Sequence, residues 1–284
     1  MIKLVLSDLD DTLIRVGLPH ATSRALAGIH AMLDAGLRFG PVSGRIPSDL
    51  GWMFANDAAC YATGALVNGQ MVYVDGRLVH VETLDGSELN RLAALLADVD
   101  DACLAVYDID DERGDDAGYF VSPNSGHAVA CQRMFPHFRR SVRQLEETTY
   151  IKASVWCGGS RTHVAEVRDM LREEFPGMDF VFPGPTAPIV DILPHGWGKG
   201  EAVRCLAREL GIGLDEIAIF GDSENDLSMI EVVPNSVAVS NATPEIERAA
   251  RWHIGSAEDD AVADALFQIA EAAATQSMPV FMGR

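Results

Sequence analysis

The residues with the most chemical potential fall in two acidic clusters. Asp8 and Asp10 follow an apolar run over residues 2–6 at a spacing of two. An i, i+2 pair in a loop can aim two carboxylates at one centre, one as nucleophile or metal ligand while the other moves a proton. Taken alone, a solvated acidic turn accounts for the pair equally well. A second cluster, Gly221-Asp222-Ser223-Glu224-Asn225-Asp226, directly follows the apolar stretch at 217–220. A helix N-cap explains Asp222 or Ser223 but leaves Asn225 and Asp226 without a purpose. Two carboxylate clusters at strand ends of one sheet make a site for Mg²⁺, a hard ion that prefers oxygen ligands and keeps several waters.

Two further groups suit phosphate oxygens. Ser43-Gly44-Arg45 follows a strand expected over 37–42 and opens a helix, where a hydroxyl and backbone N–H groups favour an anion. Lys199, between Gly198 and Gly200, starts another helix after a strand. A lysine so placed can neutralise charge on a transferring phosphoryl group. Each feature singly reads as a cap or a surface charge, but four of them on four strand ends do not read as four caps.

The elements that must hold these groups show in the apolar patterning. Residues 2–6 read as a buried parallel strand, 21–35 as a helix with Gly36 at its C-cap, 37–42 as a strand and 47–54 as a helix. A hairpin is expected from 70–73 and 78–81, turning at Asp75-Gly76. Between 83 and 186 the pattern changes to a helix at 88–99, strands near 103–107, 119–122 and 151–156, a helix at 162–175 and a strand at 180–182. Strands without regular helical crossovers predict an α+β insertion with an antiparallel sheet. Alternation resumes with a strand at 189–193, a helix at 199–210, a strand at 217–220, a helix at 224–231, a strand at 236–239 and a helix at 245–250. The expected architecture is therefore α/β. A doubly wound parallel-sheet core over 1–82 and 187–284 is interrupted by an α+β domain over 83–186.

In that order, Asp8-Leu9-Asp10-Asp11-Thr12, Ser43-Gly44-Arg45, Lys199-Gly200 and Gly221-Asp222-Ser223-Glu224-Asn225-Asp226 resemble the four motifs of the haloacid dehalogenase-like (HAD) hydrolase superfamily. The likeness is greatest to its Cof-type phosphatases, and Thr63-Gly64-Ala65 and Asn241-Ala242-Thr243-Pro244-Glu245 extend it. The resemblance implies a Rossmann-like core with a C2B-type cap lying over the active site. It implies Asp8 as the nucleophile that becomes an aspartyl phosphate, Asp10 as acid and then base, and Thr12 as a support for the loop. Ser43 and Lys199, in the setting of Gly44 and Arg45, would grip the phosphoryl oxygens, and Asn225 would touch the phosphate. An Mg²⁺ site is implied at the Asp8 carboxylate, the Asp10 carbonyl and Asp222, with Asp226 beside it positioning Lys199 or a metal-bound water. The implied reaction is hydrolysis of a small phosphorylated metabolite, foremost a sugar phosphate. A phosphotransferase or phosphomutase, and a non-catalytic phosphate-binding module, are the alternatives. The chain departs from the family pattern at Asp11, where glycine is usual, at Thr63, where Asn is usual, and at Asp260-Ala261-Val262, which lacks a glycine.

Composition narrows the field from another side. A chain of 284 residues with 48% apolar content is globular and long enough for about two domains. Its net charge of −20 repels nucleic-acid backbones and anionic membranes, leaving a small molecule as the expected partner. Five scattered cysteines without a C-x-x-C pair argue against disulfides and a zinc site and for a reducing, cytoplasmic setting. No segment reaches the roughly 18 apolar residues of a membrane span, and the N-terminus lacks a cleavable signal pattern. A monomer or homodimer is expected. Gly198-Lys199 is no P-loop, because Leu193 and Gly200 stand where glycine and Ser or Thr are required. The acidic run at 108–116 reads as a solvated cap loop, and the eight histidines show no ligand spacing.

Overall fold

The computed structural model describes residues 1–109, 118–138 and 140–283, so most of the acidic run at 108–116 lies outside the described residues. The chain divides into two units. One comprises Met1–Arg45, Asp49–Val81 and Gly198–Arg284, and the other Ile46–Ser48 and Glu82–Trp197. The first unit begins with β1 (Leu4–Ser7), α1 (Ser23–Asp34), β2 (Arg38–Pro41) and, from Asp49 onward, α2 (Pro47–Met53), then an antiparallel trio, β3 (Gly64–Leu66), β4 (Met71–Val74) and β5 (Arg77–Val81). The second unit runs through β6 (Leu84–Asp85), α3 (Gly86–Leu96), β7 (Ala102–Tyr107), β8 (Gly118–Val121), α4 (Ser125–Met134) and β9 (Ser141–Val142). It ends with β10 (Thr149–Tyr150), β11 (Lys152–Cys157), α5 (Arg161–Glu174), β12 (Met178–Val181) and β13 (Ile189–Pro194). The first unit resumes with α6 (Lys199–Leu210), β14 (Ile217–Gly221), α7 (Leu227–Val232), β15 (Asn235–Ala238), α8 (Pro244–Ala249), β16 (Trp252–His253) and α9 (Ala261–Thr275).

The main sheet of the first unit has the order β16-β15-β14-β1-β2, and every pairing is parallel. All four residues of β1 and all five of β14 are buried, which is why both read as short unbroken apolar runs rather than alternating ones. β1 is flanked by β2 on one side, in register Ser7↔Pro41, and by β14 on the other, Ser7↔Phe220. The chain leaves β1 toward one neighbour and returns much later beside the other. The carboxyl ends of β1, β2 and β14 thus bracket a topological switch point, where open α/β sheets bind ligands.

The second unit carries a six-stranded sheet, β12-β13-β11-β7-β8-β9, in which only the β8–β9 pairing is parallel among the described residues. Leu104 and Val106 of β7 pack with Leu92 and Leu96 of α3 and with Val167 and Leu171 of α5. The alternate residues Cys103, Ala105 and Tyr107 pack on the opposite face with Phe120, Phe135 and Phe138. That is the period of two expected of a strand covered on both sides.

Two expectations are corrected. The strand at 189–193 exists, but it pairs antiparallel with β11 and β12 and belongs to the second unit, which extends to Trp197 rather than ending at 186. A short apolar run looks the same in a parallel or an antiparallel buried strand, so the sequence carried no mark of its partner. Cys103 and Cys131 form a disulfide, against the expectation of five thiols. Cys131 is the one buried residue of α4, a helix the sequence reading left unassigned, and spacing alone says nothing of a pairing made by tertiary packing. Among the described residues no helix is long and apolar enough to cross a membrane.

Candidate active site

At the end of β1, the Asp8 N–H donates to the Phe220 carbonyl at 2.9 Å, extending the ladder with β14 by one residue and fixing Asp8 at the sheet edge. A tight turn follows, with the Asp11 N–H donating to Ile14 O and the Ile14 N–H to Leu9 O, both at 2.8 Å. Asp11 sits at φ +58°, which explains why glycine is comfortable at this point. Aspartate tolerates the left-handed region better than most residues, and its carboxylate is put to use accepting the Val16 N–H at 2.9 Å. Thr12 Oγ1 donates to Asp222 Oδ1 at 2.8 Å, tying the loop after β1 to the loop after β14.

Lys199 is the first residue of α6, and its side chain is fully buried. Its Nζ donates to Asp8 Oδ1 at 2.5 Å and to Asp226 Oδ1 at 2.6 Å. Gly200 permits this approach, because a Cβ there would lie 2.6 Å from the Ser228 carbonyl oxygen. The second oxygen of Asp226 accepts the backbone N–H groups of Asp222, at 2.9 Å, and Ser223, at 3.0 Å. Asp226 therefore closes the turn that carries Asp222 and anchors the lysine at the same time.

Ser43 is buried, and its Oγ accepts the Arg45 N–H at 3.2 Å. Arg45, expected beside a phosphate, grips Asp10: Nε donates to Oδ2 at 2.9 Å and Nη2 to Oδ1 at 2.7 Å, with Gly44 between Ser43 and the arginine. This side-on, two-bond geometry is the strongest way an arginine holds a carboxylate. Asn225 Nδ2 donates to Asn68 Oδ1 at 3.0 Å, and the Asn68 N–H donates to Ser43 O at 2.9 Å. Asn68 thus links the two groups expected to hold phosphate, and the sequence reading missed it. The signal available was the Asn68-Gly69 dipeptide, a turn former. Asn68 does take a left-handed conformation at φ +52°, and a Cβ on Gly69 would meet the Gly198 carbonyl oxygen at 2.7 Å. Thr63, standing where Asn was expected, accepts the Asp75 N–H at 3.2 Å and so supports the hairpin.

The electrostatics follow from the count of charges. Burial pushes the Asp8 carboxyl up to about 7, with Asp226 and Asp10 adding to the rise and Lys199 opposing it. Burial also raises Asp222, to about 9, reinforced by Asp226 and Asp8. For Lys199, burial alone would disfavour the ammonium, but Asp226 and Asp8 together outweigh it and raise the group further. Three buried carboxylates thus face one buried ammonium, and the balance is short of positive charge. Oxygens of Asp8, Asp222 and Asp226 lie within 4.8 Å of one another. An all-oxygen donor set with an excess of negative charge fits a hard divalent cation.

Residues 5–266 match the model of the haloacid dehalogenase-like hydrolase family. A Haemophilus influenzae protein provisionally named as a phosphatase is 27% identical over 277 residues, 93% of this chain and 96% of its own length. A Bacillus subtilis 5-amino-6-(5-phospho-D-ribitylamino)uracil phosphatase is 40% identical over 75 residues, 26% of each chain. Among solved structures, a Streptococcus mutans UA159 protein aligns with a TM-score of 0.78 at 19% identity, covering 94% of this chain and 98% of that one. A HAD subclass IIB sugar phosphatase aligns with a TM-score of 0.72 at 21% identity, covering 93% and 97%. At these identities the structural likeness is one of fold.

Proposed function

Because the chain belongs to the haloacid dehalogenase-like hydrolases, we propose that it is a Mg²⁺-dependent phosphatase hydrolysing a small phosphorylated metabolite, foremost a sugar phosphate, through an aspartyl phosphate on Asp8. The observation that carries this reading is the buried Asp8 carboxylate at the carboxyl end of the central strand, with Lys199 Nζ at 2.5 Å and Asp222 linked to the same turn through Thr12. A bound Mg²⁺, which the Asp8 carboxylate, the Asp10 carbonyl and Asp222 would hold with Asp226 beside them, supplies positive charge where an anionic carboxylate must meet an anionic phosphoryl group.

The chain's own residues account for the remaining work. An Asp8 oxygen attacks phosphorus, the bond to the leaving alkoxide breaks, and Asp10 gives that oxygen its proton. Asp10, now a carboxylate, takes a proton from water, which attacks the phosphorus of the aspartyl phosphate, frees inorganic phosphate and restores Asp8. Arg45 aims Asp10 as the base, and for the acid step one of its two bonds to Asp10 gives way to the proton. Lys199 neutralises charge on the phosphoryl oxygens, Asp226 holds Lys199, and Ser43 and Asn225 steady the group from the other side. The sugar-phosphatase neighbour supports a sugar phosphate as substrate.

The test is phosphate release from a panel of sugar phosphates, FMN, pyridoxal phosphate and p-nitrophenyl phosphate, with Mg²⁺, with EDTA and with Asp8→Asn. Metal-dependent turnover that disappears in Asp8→Asn is expected, and the ranking within the panel names the substrate class. Turnover that persists in Asp8→Asn, or no release from any compound, overturns the proposal.

A further inference from the structure

The first unit also gathers a set of donors of a different kind, sharing no residue with the acidic centre. His30 lies on α1, Asp57 caps the single helical turn Ala58–Cys60, and Cys60 ends that turn. His30 Nε2 stands 2.6 Å from Asp57 Oδ2, and a ring nitrogen, a carboxylate oxygen and the Cys60 sulfur all lie within 4.8 Å of one another. Histidine spacing along the sequence misses this group because its members come from a helix and from a loop beyond the next strand and helix.

The geometry points to a Zn²⁺ site, and we propose that His30, Asp57 and Cys60 bind that ion with water in the fourth position. One nitrogen, one oxygen and one sulfur donor form a borderline-soft set that suits Zn²⁺, whereas the all-oxygen Asp8, Asp222 and Asp226 set suits a hard ion. Ligands about 2.0–2.3 Å from a tetrahedral Zn²⁺ stand roughly 3.3–3.8 Å apart. The His30–Asp57 pair must therefore open by about 1 Å and the sulfur close by up to about 1 Å. The site can make that adjustment: the side chains of His30 and Asp57 are 45% and 33% exposed, while the Cys60 sulfur is buried and gives a fixed inner anchor. The outer side is thus open to water. Burial and the facing Asp57 push the Cys60 thiol up to about 12, so it keeps its proton until an entering ion displaces it to solvent. The other mixed group, Cys103, His127 and Cys131, is not equivalent. Its sulfurs are bonded to each other, and both His127 nitrogens are engaged, by Ser122 and by the Ala102 carbonyl.

Co²⁺ replaces Zn²⁺ as the visible probe. Metal-free protein is saturated with Mg²⁺ to fill the acidic centre and then titrated with Co²⁺. One equivalent should produce an intense near-ultraviolet sulfur-to-cobalt charge-transfer band that Zn²⁺ abolishes. Cys60→Ala should remove the band, and Cys157→Ala should keep it. His30→Gln, at a half-exposed position, should keep the fold and weaken Co²⁺ binding by at least about tenfold. The proposal is overturned if saturating Co²⁺ gives no such band, or if the band survives in Cys60→Ala with native circular dichroism. Should Cys60→Ala fail to fold, unchanged Co²⁺ affinity in His30→Gln overturns it equally. None of these readouts depends on catalysis, so an inactive enzyme with the band would refute the phosphatase reading alone.

Discussion

The acidic centre should make the metal-free protein less stable as pH rises, and Asp222→Asn should remove about half of that loss at pH 7, the raised Asp8 carboxyl carrying the rest. Asp222 sits at about 9 in the folded chain against a reference of 3.8, with burial the leading cause. Between those values the folded chain holds a proton that the unfolded chain has released. The contribution of Asp222 to stability is therefore most favourable below about 3.8 and falls as pH rises toward 9. At pH 7, 3.2 units above the reference, holding that proton costs about 4 kcal/mol at 1.36 kcal/mol per unit. Asparagine keeps the oxygen that accepts from Thr12 and abolishes the cost. In EDTA, the variant should match wild type near pH 4 and exceed it by about 4 kcal/mol at pH 7, roughly 8–16 °C in melting temperature at 2–4 °C per kcal/mol. Added Mg²⁺ should raise the wild-type melting temperature at pH 7 and leave the variant almost unmoved. Thermal unfolding followed by circular dichroism at several pH values measures both. A difference between the proteins that stays flat with pH, or a variant that melts below wild type at pH 7, would refute the charge argument.

Three further outcomes are expected. Gly200→Ala places a methyl group 2.6 Å from the Ser228 carbonyl oxygen, so the first turn of α6 must shift; stability should fall by about 1–3 kcal/mol in a denaturant titration, and kcat should fall with it because Lys199 moves. Arg45→Ala frees Asp10 from its two-bond hold, and kcat should drop about 100-fold with KM little changed, with Arg45→Lys restoring part of the loss in the same steady-state assay. The Cys103–Cys131 disulfide closes a separation of 28 residues, which corresponds to about 3.5 kcal/mol; reductant should lower the wild-type melting temperature and leave Cys131→Ala unaffected.

The motif residues were legible because each stands at a place the backbone dictates. Asp8, Ser43 and Asp222 follow buried apolar strands, and the parallel order β14-β1-β2 carries those strand ends to one edge. What the sequence left dark was partnership. Nothing in the run at 189–193 distinguished a parallel neighbour from an antiparallel one, and β13 joined the other sheet. Arg45 read as a phosphate ligand from its place in the motif, and the sequence held no sign that its guanidinium reaches Asp10 across 35 positions of chain. Asn68 was invisible as a site residue since its role depends on Asn225, 157 positions away. Glycine's absence at Asp11 read as a small departure from the family pattern, and the positive φ shows aspartate accepting the strain and using its carboxylate as a local cap.

The buried ammonium of Lys199 has a practical consequence. The chain contains only three lysines, Lys3, Lys152 and Lys199. The Lys3 side chain is 56% exposed and that of Lys199 is wholly enclosed. An amine-selective acylating reagent applied to the native protein therefore reaches Lys199 only when the centre transiently opens. The mass of a single peptide, read against time, becomes a clock for the breathing of the acidic centre, with Lys3 as the internal standard for reagent strength. Ligands that occupy the acidic centre would slow that clock whether or not they are ever turned over.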